Sequence, residues 1–184
     1  MGRGKNIYTA MLLSGKSVWR CGVLLTSDRA GERKQIESGL QADCASFEQF
    51  VQAHETAVFT FCYRMLADTA VADCAAATAF QQVYPHFPAV SLLDVLAAAR
   101  RRCLAQWQAS RVYEGKTAVD ATQTLFNNLP LPEREALALR YGCKLNFDEI
   151  AHVLETSCEA VRATLRQGRW RIAGLEQTRL SIPN

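Results

Sequence analysis

No C-x-x-C pair occurs in the 184 residues, although seven of them are cysteine. Cys21, Cys44, Cys62, Cys74, Cys103, Cys143 and Cys158 are scattered, and none stands beside His54, His86 or His152 at metal-ligand spacing. An odd number of thiols spread over helical positions fits reduced, mostly buried cysteines in a cytoplasmic protein. A thiol redox sensor is the alternative. The sequence points to no metal and no cofactor. It also lacks a glycine-rich phosphate loop, a paired-carboxylate motif and a local nucleophile–base pair, so no residue is nominated as catalytic and the chain does not read as an enzyme. Long hydrophobic runs are missing too. Cys74 to Leu93 carries no formal charge, but Gln81, Gln82, Pro85, His86 and Pro88 break it, and no membrane insertion is expected. A formal charge of +3 is too small to prove an anionic partner.

The apolar residues that are present repeat at helical spacing. Residues 1–39 differ from the rest. Arg3 and Lys5 before Ile7 to Leu13 imitate a signal peptide, but Lys16 and Arg20 interrupt it, and a flexible leader or an over-extended start is the reading. Ser46-Phe47-Glu48-Gln49 matches a capping box. Phe47, Phe50, Val51, His54, Val58, Phe61, Cys62 and Met65 then mark one face of a helix to about Leu66. Asp68 and Thr69 cap a second helix with Ala72, Ala75, Ala76, Ala79, Phe80 and Val83, ended by Pro85 and Pro88. Ser91 caps a third, with Leu92, Leu96, Cys103 and Trp107 inward and Arg100-Arg101-Arg102 over its middle. The fold class is all-α, in two small domains: a three-helix bundle over 40–111 and a helix-turn-helix domain over 118–184, joined by a linker at 112–117.

Phe147 to Arg166 is the most informative stretch. Ile150, Ala151 and Leu154 line one face of a short helix, and Val161, Leu165 and Ile172 continue an inward face on a second. Thr156-Ser157-Cys158-Glu159 can cap that second helix from Thr156 or from Ser157. Glu159, Arg162, Arg166 and Arg169 fall outward at three- and four-residue steps. From Thr156 onward Arg162, Arg166, Arg169, Arg171 and Arg179 oppose only Glu159 and Glu176. Such a helix suits the major groove, where arginine forks pair with guanine or hold phosphate. With Arg100, Arg101, Arg102 and Arg111 it makes two separate basic patches. The alternative is a helical protein-interaction module whose basic faces are solvated surface.

These residues carry a family resemblance. Leu129-Pro130, Glu133-Arg134-Glu135, Leu139-Arg140-Tyr141, Phe147-Asp148-Glu149-Ile150-Ala151, Leu154, Ser157 and Ala160-Val161 resemble the C-terminal domain of extracytoplasmic-function sigma factors. Ser46-Phe47, Phe50, Tyr63-Arg64-Met65-Leu66 and Phe80 are more weakly similar to that family's first domain. The resemblance implies promoter DNA and core RNA polymerase as partners, and it allows an anti-sigma factor. It implies that Ser157, Glu159, Arg162, Ala163, Arg166 and Arg169 read or hold the upstream promoter element. Arg100, Arg101, Arg102 and Arg111 would follow the strand at the downstream element, with His86, Phe87 or Trp107 beside an unstacked base. Asp73, Ala77, Phe80 and Gln81 would be the face that docks on polymerase. The chain departs from the family pattern at several places. Cys74 and Ala77 replace the usual aspartate and glutamine, Ala98 an asparagine, Glu155 the glycine of the turn, and Thr164 an arginine. A divergent sigma-like regulator that no longer docks on polymerase is therefore the rival reading.

Overall fold

The computed structural model describes residues 30–110 and 121–180, with side-chain surroundings for 45–108 and 121–175. The expected linker, Arg111 and residues 1–29 lie outside the described residues. Among those described, the chain is all-α, with seven α-helices and no strand.

Helix α1 runs from Ala30 to Leu66, 37 residues without a break. The capping box expected at Ser46 is not a helix start. No proline or competing turn separates Leu40 from Ser46, and Ser46 and Gln49 sit exposed on the side of a continuous helix. The S-x-x-Q pattern serves a cap and an outward helical face equally well. Contacts divide the chain inside α1, into residues 1–52 and 53–184. In the first unit Phe47 and Phe50 stack, with ring centroids 6.1 Å apart.

Val58, Phe61, Cys62, Met65 and Leu66 close the end of α1 with no exposed surface, following the expected stripe. Ala67 takes a left-handed φ of 56° to turn the chain. Asp68 then caps α2 (Thr69–Val83), its carboxylate accepting from the Val71 amide at 3.0 Å. Four buried alanines, Ala72, Ala75, Ala76 and Ala79, let neighbouring backbones approach α2 closely. A 3-10 turn, Tyr84–His86, ends it before the cis Phe87–Pro88 bond. Helix α3 (Leu92–Ser110) starts as expected from Ser91. The Ser91 amide donates to Asp94 Oδ2 at 2.8 Å, and the Asp94 amide donates to Ser91 Oγ at 3.4 Å. That hydroxyl holds the Asp94 carboxyl below the usual carboxylate range. Val95, Leu96, Ala98, Ala99 and Cys103 are the buried side of α3.

The C-terminal half adds α4 (Ala121–Asn127), α5 (Leu131–Leu137), a π-turn over Ala138–Gly142, α6 (Phe147–Leu154) and α7 (Cys158–Leu180). Helices α5 and α7 cross at Gly168. A Cβ there would sit 2.7 Å from Leu137 Cδ1 and 3.3 Å from Glu133 Cβ. Gly168→Val is expected to lower stability by about 1–3 kcal/mol through overpacking, read from urea unfolding. An unchanged midpoint would show that the two helices are not held this close.

The described cysteines are free. Cys62 and Cys103 are fully buried; their mutual hydrogen bond, then burial, pushes the Cys62 thiol up. Burial pushes Cys143 up to about 12. The Cys62 and Cys143 thiols are protonated at neutral pH, and the buried cysteines behave as small core residues.

Candidate nucleic-acid interface

Helix α6 begins with a reciprocal cap. Asn146 Oδ1 accepts from the Glu149 amide at 2.9 Å, and Glu149 Oε2 accepts from the Asn146 amide at 2.7 Å. The sequence reading passed over this box, although its N-x-x-E spacing was there to be found. Ile150, Ala151 and Val153 are buried and Leu154 half-buried, as the helical period predicts. The turn to α7 passes through Glu155 at φ 55°, where the resembled family usually has glycine. A side chain in that left-handed region costs roughly 1–2 kcal/mol, and the Glu155 and Thr156 amides offset part of it by donating to the His152 and Ala151 carbonyls. Ser157 is the cap of α7, accepting from the Ala160 amide at 3.1 Å.

Val161, Leu165 and Gly168 turn inward on α7. Ser157, Glu159, Arg162, Ala163, Arg166 and Arg169 are all exposed, which is the side expected to meet DNA. Arg162 is also positioned: its guanidinium lies 5.2 Å over the Phe147 ring, and Arg140 lies 5.0 Å over the same ring. Arg140 is held in turn by donating to the Leu145 carbonyl at 2.7 Å. The Cys158 thiol donates to Asp148 Oδ1 at 2.8 Å, and that bond raises it above the ordinary thiol range. Cys158 is therefore not a reactive thiolate despite its place at a helix start.

The basic triplet behaves differently from expectation. Arg101 and Arg102 are exposed, but Arg100 is turned aside. Successive helical residues point about 100° apart, so three adjacent arginines cannot share one face. Arg100 Nε instead donates to Glu135 Oε1 on α5 at 2.7 Å. Beside this pair Arg134 is fully buried. Its Nη1 donates to the Met65 carbonyl at 3.3 Å, and its guanidinium lies 4.4 Å over the Trp107 ring. Gln123, also fully buried, donates to the Arg64 carbonyl at 3.1 Å and accepts from Arg64 Nη1 at 3.1 Å. The last carbonyls of α1 thus find their donors in the C-terminal half. Sequence reasoning missed this seam, because Gln123, Glu133, Arg134 and Glu135 look like surface residues.

Burial outweighs Arg100 at Glu135, and its carboxyl is raised above the usual range. A raised carboxyl contributes stability that is fully present below its unfolded value and is lost as pH rises through the folded one. Glu135→Gln keeps an acceptor for Arg100 and removes that loss. The variant is expected to be no less stable than the parent at neutral pH, and its stability should vary less with pH in urea unfolding. A clear loss at neutral pH would show that pairing outweighs burial.

A cleft of about 350 Å³ opens between α2 and α3, with Gln82, His86, Asp94 and Arg101 among its walls. Phe87 and Trp107 are half-buried. Of the residues expected to dock on polymerase, Gln81 is exposed and Asp73 and Ala77 are half-buried. Phe80 is 2% exposed; it is a core residue between helices and shapes that face from beneath. Among the described residues there is no cluster of metal-ligating side chains and no helix long and apolar enough to cross a membrane.

A short helix, a left-handed turn and a second helix with an exposed arginine row, the second helix packed on α5, define a helix-turn-helix domain. Residues 120–172 match the family described as Sigma-70, region 4, a family of non-enzymatic DNA-binding regulators. That stretch of the chain is similar to sigma-70 region 4. Two solved structures share its fold. One is the sigma factor RpoE in complex with the anti-sigma factor NepR from Bartonella quintana, at TM-score 0.62 and 12% identity, covering 72% of this chain and 97% of that one. The other is CnrH in complex with the cytosolic domain of CnrY, at TM-score 0.59 and 16% identity, covering 76% and 94%. No curated protein matches the chain. The likeness to these two structures is one of fold.

Proposed function

We propose that this protein is a sigma factor of the extracytoplasmic-function type, which binds core RNA polymerase and directs transcription from promoters through contacts at two elements. The observation that carries the reading is the exposed row Glu159, Ala163 and Arg166, flanked by Arg162 and Arg169, on the second helix of a sigma-70 region 4 domain. Arg162 and Arg166 pair with base edges or phosphates in the major groove, Glu159 accepts from a cytosine amine, and Arg169 holds the backbone. Arg101 and Arg102 follow the strand at the second element, and the cleft between α2 and α3 receives an unstacked base. Arg100 joins them only when its pair with Glu135 opens. Polymerase makes the bonds; this chain places it. An anti-sigma factor is the regulator this reading calls for, by analogy with the two solved complexes.

Run-off transcription with purified core polymerase and a promoter pool tests this. Discrete transcripts that depend on the protein support it, and their absence opposes it. The burial of Phe80 and the substitutions at Cys74 and Ala77 favour a second reading, a DNA-binding regulator that does not dock. Pull-down with core polymerase separates the two, since tight binding removes the second.

A further inference from the structure

Trp170 is 79% exposed, on a helix whose opposite side is packed. Taking about 100° per residue, it lies diametrically across α7 from Val161, Leu165 and Gly168. It shares the outward row with Glu159, Ala163 and Arg166, and with Ala163, Arg166 and Gln167 it lines a shallow surface hollow. A side chain this large and apolar gains nothing for folding when it stands in water.

We propose that Trp170 is a non-ionic anchor that lies against the sugar–phosphate backbone of the duplex entered by α7. The inference rests on the DNA reading above and names a contact that reading does not include. Two observations choose DNA over a protein. Arg166 lines the hollow beside the indole, Arg162 and Arg169 are exposed on the same helix, and such a surface complements a polyanion. Position agrees. Trp170 is twelve residues beyond Cys158 on α7, about 18 Å along a helix at 1.5 Å per residue. The major groove is about 12 Å wide. With the start of α7 among the base edges, Trp170 falls over a flanking strand. There the indole face covers a sugar and its N–H donates to a phosphate oxygen, a contact that releases no counterion.

That difference makes the test. Affinity of the full-length protein for a labelled mixed-sequence duplex is measured over a salt series, for the parent, Trp170→Ala, Trp170→Phe and Arg166→Ala. Trp170→Ala is expected to weaken binding about tenfold with the slope of log K against log salt unchanged. Trp170→Phe should retain most of the affinity. Arg166→Ala should reduce the slope by about 0.9. Thermal melts serve as the folding control, since Trp170 is outside the core. Parent-like binding by Trp170→Ala, with Arg166→Ala weakened, overturns this inference and leaves the DNA reading standing. If Arg166→Ala also binds like the parent, the DNA reading fails with it. Loss of core-polymerase binding with DNA affinity intact in Trp170→Ala assigns the indole to a protein contact and overturns the inference.

Discussion

Arg134→Ala is expected to destabilise the protein by about 3–5 kcal/mol, the range for emptying a large buried site. The side chain has no exposed surface, so truncation leaves a cavity beside the Trp107 face it covers at 4.4 Å. It also takes the donor from the Met65 carbonyl, which lies in the last turn of α1, where no intrahelical amide is left to serve it. A cation there also opposes the negative end of the helix. Arg134→Met separates these contributions. It refills the volume and removes a desolvated charge, and an apolar replacement of a buried ion is often close to neutral. Most of the lost stability should return. Urea unfolding of the two variants measures both, and a loss under 1 kcal/mol for Arg134→Ala on the scale of ordinary surface changes would show that the seam between α1, α3 and α5 does not form.

The second large effect is on binding. Replacing Arg162 or Arg166 with alanine should weaken promoter affinity by about 1–3 kcal/mol each where the guanidinium is bidentate to a base. Both are exposed, so the melting temperature should hold. Arg162 should cost more than its charge alone, since Phe147 fixes its guanidinium before binding and less rotamer entropy remains to be lost. Arg171 is the control. Its Nε donates to Oε1 of the buried Glu133 at 2.9 Å, and its removal should touch stability more than affinity. Equal affinities for the parent and the Arg162→Ala/Arg166→Ala double variant at fixed salt would remove the outward face of α7 from DNA recognition.

The two variant sets probe features that differ in how far the chain alone discloses them. The face of α7 was legible because it depends on one helix. The 3.6-residue period places Val161 and Leu165 inside and Arg162 and Arg166 outside without reference to any neighbour. The caps at Asp68, Ser91 and Ser157 were legible for the same reason, being bonds between residues three apart. Ser46 shows where local reading stops. A capping box states that a helix may start, and only the propensity of the preceding segment decides whether it already has. Glu155 shows the converse: the turn forms without the glycine that would advertise it.

By itself the sequence determined the helices other than the start of α1, most of their buried faces, the helix-turn-helix and the family it resembles, since each follows from spacing within a single segment. Tertiary structure alone decided that Arg100 leaves the basic triplet for Glu135, that Arg134 and Gln123 are interior, and that Trp170 is left outside. Charged and polar residues enter a protein interior only where a partner distant in sequence satisfies them. Arg134 finds a carbonyl 69 residues away and Gln123 a carbonyl 59 residues away. No periodicity within a helix carries that information.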